Sequence, residues 1–173
     1  LSLDLSNLSD DDGIGDDLSY QWFANGIAID GANGDTLSLS QSEVGASISV
    51  RLSYTDGFNV LETVTTHATG VVENVNNTPQ GTVLIDGIAQ EDTVLSVDMS
   101  NLTDQDGLPE NFNFQWYMNG AQIIGATNET FQLTQDHVGK IFTVEVGYTD
   151  QWGVDETVMS SPSETVINLN DKP

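Results

Sequence analysis

The sequence contains two copies of one repeated unit. When the chain is shifted by 94 residues against itself without a gap, residues 1–79 match residues 95–173 at 33 of 79 positions. The segment LSLDLSNLSDDDG aligns with LSVDMSNLTDQDG, and YQWFANG aligns with FQWYMNG. This internal identity predicts two homologous domains with a common fold, residues 1–78 and residues 79–173.

Both units show the alternation that is typical of β-strands. In ISVRLSY (48–54), apolar or aromatic residues alternate with serine and arginine, and FTVEVGY (142–148) repeats the pattern. Successive residues of a strand point to opposite faces, so each run predicts a strand with one buried face. Asn-Gly and Asp-Gly pairs between the runs predict tight turns. The pattern favours an all-β fold with two tandem immunoglobulin-like, Greek-key sandwiches.

The second repeat has a leading segment that the first repeat lacks. QGTVLIDGIAQEDTV (80–94) precedes the run that begins at Leu95, whereas the counterpart of Leu95 is Leu1. We therefore expect the first domain to lack its N-terminal strand. Its sheet edge should then be open, and it should be the less stable of the two domains.

The charge balance excludes several classes of function. The chain carries 27 acidic residues against 3 lysines and arginines, for a formal net charge of −24. Such a chain lacks the cations that bind phosphates, so we expect no nucleic-acid partner. No apolar stretch is long enough to span a bilayer, which predicts no membrane insertion. No catalytic motif is present, and we expect no enzymatic activity.

Several short motifs together resemble a known repeat family. Aromatic-Gln-Trp (20–22 and 114–116), Val-Gly, Tyr-Thr-Asp and a linker ending in proline (ENVNNTP, 73–79) occur in a fixed order. The unit is similar to the bacterial Ig-like or cadherin-like tandem repeats of large RTX-type secreted adhesins. The resemblance implies a secreted or bacterial cell-surface protein, with neighbouring repeats of the same chain as partners. It also implies a structural role, in which repeats extend a binding module and calcium stiffens their junctions.

The acidic loops are candidate calcium sites. Both repeats keep D-x-D-G, at 10–13 and 104–107, but without the spacing of an EF-hand. In immunoglobulin strand order this loop, the loop after Tyr-Thr-Asp and the incoming linker lie at one end of the domain. Oxygen ligands from these segments suit Ca²⁺. The expected ligands are Asp10, Asp12, Asp56, Asn76, Asn77, Asp104, Asp106 and Asp150. The alternative is a solvated turn, since Asp and Gly are common turn residues.

Two further functions remain open from the sequence. Alternation places Trp22 and Trp116 in the cores, but Phe23, Phe58, Tyr117 and Trp152 are candidates for stacking on sugar rings. A carbohydrate-binding module is therefore one alternative, with glycans or surface proteins as partners. The other is homophilic cell–cell adhesion, in which an open sheet edge pairs with a second chain.

Overall fold

The structure is a computed structural model that describes residues 1–170. Asp171, in the segment INLNDKP (167–173) that aligns with the linker ENVNNTP, lies outside the described residues. The chain divides into two compact units, Leu1–Val75 and Asn76–Pro173. The boundary follows Val75, whereas the repeat pattern places it after residue 78. The elements are antiparallel strands with short 3₁₀ turns, which confirms the predicted all-β class. No helix among residues 1–170 is long and apolar enough to cross a membrane.

The second unit is a sandwich of two sheets. Its strands are β5 (Leu84–Asp86), β6 (Val94–Asp98), β7 (Asn113–Met118), β8 (Ala121–Gln122), β9 (Thr130–Gln132), β10 (Phe142–Thr149) and β11 (Asp155–Met159). One sheet has the order β11-β10-β7-β8, and the other has the order β5-β6-β9. Consecutive strands β6 and β7 lie in different sheets, while β7 pairs with the distant β10. This crossing of the chain between sheets is the Greek-key arrangement of immunoglobulin-like sandwiches.

The alternation in the sequence explains the core of the second unit. Leu95 and Val97 of β6 face Val144 and Val146 of β10, and all four are buried. Trp116 is fully buried among them, and its indole Nε1 donates to the Asn128 carbonyl at 2.8 Å. Because that hydrogen bond satisfies the polar edge of the ring, the large apolar surface of the indole is buried without an unpaired donor.

The first unit contains only one regular sheet. Its strands are β1 (Ser19–Ala24), β2 (Ile27–Ala28), β3 (Ile48–Thr55) and β4 (Leu61–Thr65), in the order β2-β1-β3-β4. Opposite this sheet, the described residues of the unit form a single bridge between Ser2 and Thr36. A strand corresponding to β5 is absent from residues 1–75, as expected.

The predicted Asn-Gly turns close two matching hairpins. Asn25 and Gly26 join β1 to β2, and both have positive φ, 48° and 80°. Asn119 and Gly120 repeat this geometry between β7 and β8, with φ of 49° and 79°. Two consecutive positive φ values define a type I′ turn, which matches the twist of a two-strand hairpin.

Candidate metal-binding site

The D-x-D-G loop of the second unit is fastened to strand β10. Asp104 Oδ1 accepts a hydrogen bond from the backbone N–H of Asp106 at 2.8 Å. Its Oδ2 accepts from the hydroxyl of Tyr148 at 2.6 Å. Burial raises the pKa of the Tyr148 phenol, and the hydrogen bond to Asp104 raises it further. Both carboxylate oxygens of Asp104 are therefore engaged in holding the loop.

The loop after Tyr-Thr-Asp lies against the same acidic loop. Asp150 Oδ1 accepts from the backbone N–H groups of Trp152 and Val154, at 2.8 and 2.9 Å. The backbone N–H of Gln151 donates to the Asp106 carbonyl at 3.3 Å. One carboxylate oxygen of Asp150 thus accepts the hydrogen bonds that form its own turn. The next residue, Gln151, joins that turn to the D-x-D-G loop.

The segment that opens the second unit completes this cluster. The backbone N–H of Asn77 donates to Asp106 Oδ2. The amide of Asn76 donates to Glu156 Oε1 at 2.7 Å. Hydrogen bonds therefore link Asn77, Asp104 and Asp106 directly. The turn that contains Asp150 is joined to them through Gln151. Glu156 was not among the expected residues, although Glu62 and Glu156 are identical at matching positions of the two repeats.

Two buried carboxylate oxygens in this group have no partner. Asp106 is 1% exposed and Asp150 is 6% exposed. Among the described residues, Asp106 Oδ1 and Asp150 Oδ2 are the buried side-chain oxygens or nitrogens that make no hydrogen bond. An unpaired buried carboxylate oxygen is costly. A cation bound to such an oxygen would remove this cost, so the chemistry of these residues fits a metal ion that prefers oxygen ligands.

The acidic side chains alone do not form a complete set of metal ligands. Across residues 1–170, no group of three or more His, Cys, Asp or Glu residues has the spacing to hold a metal ion. Calcium accepts six to eight oxygens, including backbone carbonyls, amide oxygens and water. Asp106 and Asp150 would therefore supply the charge, and neutral oxygens would supply most of the coordination number.

The first unit has the same loops in a more open form. Tyr54 donates to Asp10 Oδ2 at 2.8 Å, and the N–H of Gly57 donates to the Asp12 carbonyl at 3.0 Å. Asp56 Oδ1 accepts two backbone N–H groups, at 2.9 and 2.8 Å. The structure thus brings Asp10, Asp12 and Asp56 together. Asp12 differs from its buried counterpart Asp106 in being exposed.

Hydrogen bonds at Asp10 shift two pKa values in opposite directions. The backbone N–H of Asp12 and the hydroxyl of Tyr54 lower the pKa of the Asp10 carboxyl. The same carboxylate raises the pKa of Tyr54 to about 12. The remaining acids of this loop, Asp11, Asp16 and Asp17, are exposed, and the hydroxyl of Thr55 donates to Asp17 Oδ2 at 3.0 Å.

The two core tryptophans lie where the alternation predicts, whereas Phe23, like Tyr117, is half-buried. Trp22 and Trp116 are buried. Phe58 is 72% exposed and Trp152 is 46% exposed, and each follows the Tyr-Thr-Asp segment of its unit. Tyr117 is half-buried, so it presents less ring surface to a ligand than these two.

Comparisons with known proteins add no family assignment. No protein-family model matches the chain, and a search of curated proteins finds no match.

Proposed function

We propose that the chain is a pair of extender repeats from a large secreted or surface-exposed bacterial protein, with calcium bound at the acidic end of the second unit. The observation that carries the calcium proposal is the pair of unpartnered, buried oxygens on Asp106 and Asp150. The similarity of the repeat to bacterial Ig-like and cadherin-like repeats supports the extender role. We propose no nucleic-acid partner, because a chain of net charge −24 has few cations to bind phosphates. We propose no membrane insertion and no catalytic activity, because the sequence has neither a long apolar stretch nor a catalytic motif.

The oxygen chemistry of the site favours calcium over a transition metal. The chain has no cysteine, and neither of its two histidines belongs to the cluster. Hard cations such as Ca²⁺ prefer carboxylate, carbonyl and amide oxygens, which are the groups present here. An irregular loop site with few carboxylates suits the flexible coordination of Ca²⁺ better than the strict octahedron of Mg²⁺.

The position of the site explains how an ion would stiffen the chain. Asn76 and Asn77 directly follow Val75, the last residue of the first unit. Asn77 is already bonded to Asp106 through its backbone N–H. An ion held by Asp106 would fix this segment more firmly, and the connection between neighbouring repeats would then have fewer conformations. The partners of the module are therefore neighbouring repeats of the same chain.

The calcium site is tested by thermal unfolding with matched variants. Ligands that bind only the folded state raise its stability, so the unfolding temperature of the second unit should rise in millimolar calcium and fall in EDTA. Asp106→Asn should abolish this response, because it removes a ligand charge at a buried position. Asp12→Asn, at the matching exposed position, should preserve it. Equal unfolding temperatures in EDTA and in calcium for the unmodified chain would exclude the site.

The stiffening role needs a separate measurement. The chain lacks cysteine, so Ala28→Cys and Gln122→Cys, at exposed matching positions, would carry one spin label in each unit. Calcium should narrow the distribution of distances between the labels, and Asp106→Asn should leave it broad. If calcium stabilises the second unit but leaves the distribution unchanged, the site exists without a stiffening function.

The exposed aromatic side chains favour one second candidate, a carbohydrate-binding module. Phe58 is 72% exposed and Trp152 is 46% exposed, and both lie in the loops that follow Tyr-Thr-Asp. Aromatic faces of this kind stack on sugar rings. Glycan-array binding that is lost in Trp152→Ala would support this function. An absence of glycan binding by the unmodified chain would favour the extender role.

A further inference from the structure

The chain contains three Asn-Gly pairs, at 25–26, 33–34 and 119–120. An asparagine that precedes glycine is chemically reactive. The backbone nitrogen of the glycine attacks the side-chain carbonyl carbon Cγ of the asparagine, because glycine has no side chain to hinder the approach. The attack closes a five-membered succinimide ring, so the local conformation of each pair decides whether the ring can form.

Two of the three pairs have a conformation that prevents this attack. Asn25 and Asn119 are the first residues of the type I′ turns, with φ of 48° and 49°. In the left-handed region ψ is also positive, about +47°, which turns the next backbone nitrogen away from Cβ. Ring closure needs that nitrogen on the same side as Cβ. Asn25 and Asn119 must therefore leave the turn conformation before they can react.

Hydrogen bonds hold both asparagines in these turns. Asn25 Oδ1 accepts from the backbone N–H of Ser47 at 3.0 Å, and Asn119 Oδ1 accepts from that of Ile141 at 3.0 Å. The backbone N–H groups of Asn25 and Asn119 donate to the carbonyls of the same two residues, at 2.9 and 2.8 Å. Opening either turn breaks these bonds, so the attack is slowed further.

The third pair has neither restraint. Asn33 and Gly34 lie between β2 and the 3₁₀ turn at Gln41–Glu43, and both are exposed. Asn33 is not in the left-handed region. Among residues 1–170, the side chain of Asn33 has no hydrogen-bond partner, and the backbone N–H of Gly34 donates to no carbonyl. The attacking nitrogen and the carbon that it attacks are therefore both free to approach each other.

The carbonyl of Gly34 is also the partner of a core residue. The indole Nε1 of Trp22 donates to it at 2.9 Å, and the backbone N–H of Trp22 donates to the Ala32 carbonyl at 3.1 Å. Trp22 is 3% exposed, so the Gly34 carbonyl satisfies a buried polar group. The peptide bond between Asn33 and Gly34 thus lies between the two acceptors that position Trp22.

The second unit holds its tryptophan in the same way without the reactive pair. Trp116 Nε1 donates to the Asn128 carbonyl at 2.8 Å. The residues that match Asn33 and Gly34 are Thr127 and Asn128. Threonine has no side-chain carbonyl and cannot form the ring, and Asn128 is followed by a glutamate whose side chain hinders the attack. The second unit therefore serves as an internal control.

We propose that Asn33 is a site of spontaneous covalent modification, and that the modification weakens the hydrogen bond that holds Trp22. A bond forms between the Gly34 nitrogen and Asn33 Cγ, and the bond from Cγ to Nδ2 breaks. The amide leaves as ammonia with the proton of the Gly34 nitrogen. Water then opens the succinimide at either carbonyl and leaves aspartate or isoaspartate at position 33. Isoaspartate adds one methylene to the backbone before Gly34, which displaces the carbonyl that accepts from Trp22.

Peptide mapping by mass spectrometry, after storage of the full chain in mildly alkaline buffer, tests the modification. Asn33 should convert at least about tenfold faster than Asn25 or Asn119, because each hairpin asparagine must first break its hydrogen bonds. Storage in concentrated urea is the control, since the three pairs of an unfolded chain should convert at similar rates. Equal rates in the folded chain, or the same order of rates in urea, would overturn the proposal.

The effect on the core is measured in the stored protein. As isoaspartate at position 33 accumulates, measured with an isoaspartyl methyltransferase, the indole N–H signal of Trp22 should disappear at a temperature lower by about 5 °C. The temperature at which the Trp116 signal disappears should not change. Asn33→Gln closes the corresponding ring much more slowly, so it should keep the original Trp22 temperature through the same storage.

A second variant separates the added charge from the added methylene. Freshly prepared Asn33→Asp carries the charge on a normal backbone, so its Trp22 signal should disappear at the original temperature. A fall equal to that of the stored protein would show that charge, and not displacement of the Gly34 carbonyl, causes the effect. An unchanged Trp22 temperature in protein that contains isoaspartate at position 33 would also contradict the proposal.

Discussion

The hydroxyl of Tyr148 donates a hydrogen bond of 2.6 Å to Asp104, across 44 residues of sequence. The first unit repeats this contact between Tyr54 and Asp10 at 2.8 Å. In each unit, the tyrosine of Tyr-Thr-Asp therefore fastens the D-x-D-G loop to the long central strand. This contact positions the acidic loop against the strand.

Tyr148→Phe should destabilise the second unit. The substitution leaves Asp104 Oδ2 without its donor, and a hydrogen bond to a charged group contributes about 1.5–3 kcal/mol. Urea unfolding followed at Trp116 measures the change. Tyr117→Phe, at a half-buried tyrosine with no hydrogen bond to an acidic loop, is the control. An effect no larger than that of the control would show that the contact does not hold the loop.

Tyr54 should titrate at unusually high pH. Its neutral form donates to Asp10, and this raises its pKa from 10.0 to about 12. The hydrogen bond stabilises the fold fully below pH 10, and this contribution is lost as the pH rises through 12. The difference in phenolate absorbance between the unmodified chain and Tyr54→Phe gives the titration curve of Tyr54 alone. Asp10→Asn should lower the Tyr54 pKa; an unchanged value would mean that another group causes the shift.

Two substitutions of Asp150 should distinguish the structural role of its carboxylate from its proposed role as a calcium ligand. Asp150→Ala removes the acceptor of two backbone N–H groups and should cost about 2–4 kcal/mol. Asp150→Asn retains Oδ1 and should preserve most of the stability in EDTA, but it should weaken the response to calcium. Calorimetric unfolding in EDTA and in calcium measures both effects. Equal calcium responses of Asp150→Asn and the unmodified chain would remove Asp150 from the ligand set.

The two units should unfold at different temperatures. The first unit has an incomplete core and an open edge, whereas the core of the second unit includes Val83 and Leu95 at 1% exposure. Buried apolar area is the main stabilising contribution, so the first unit should unfold at the lower temperature. The indole N–H signals of Trp22 and Trp116 report the two transitions separately. Loss of both signals at one temperature would show that the units unfold cooperatively.

The sequence alone predicted the features that depend on local pattern. Alternating residues at 48–54 and 142–148 predicted β3 and β10, because the period of a strand is visible in any short window. Asn25-Gly26 predicted a hairpin, because few other residues adopt two consecutive positive φ values. The ungapped repeat and the missing counterpart of residues 80–94 predicted which unit has the incomplete core.

The candidate site was predicted only in outline. Immunoglobulin strand order implies that two acidic loops and the incoming segment share one end of a unit. It does not reveal that Glu156 bonds to Asn76, because that contact joins residues 80 positions apart. It also does not reveal that Asp106 is fully buried with one oxygen unpaired.

The sequence by itself determined the strands, the turns and the duplication, since each depends on residue type and short-range spacing. Only the tertiary structure decided that Asp106 is buried with one oxygen unpaired while Asp12 remains exposed. The physical reason is that burial depends on neighbours that are distant in sequence. In the second unit Asn77 bonds to Asp106, and the described residues of the first unit contain no segment that does the same for Asp12.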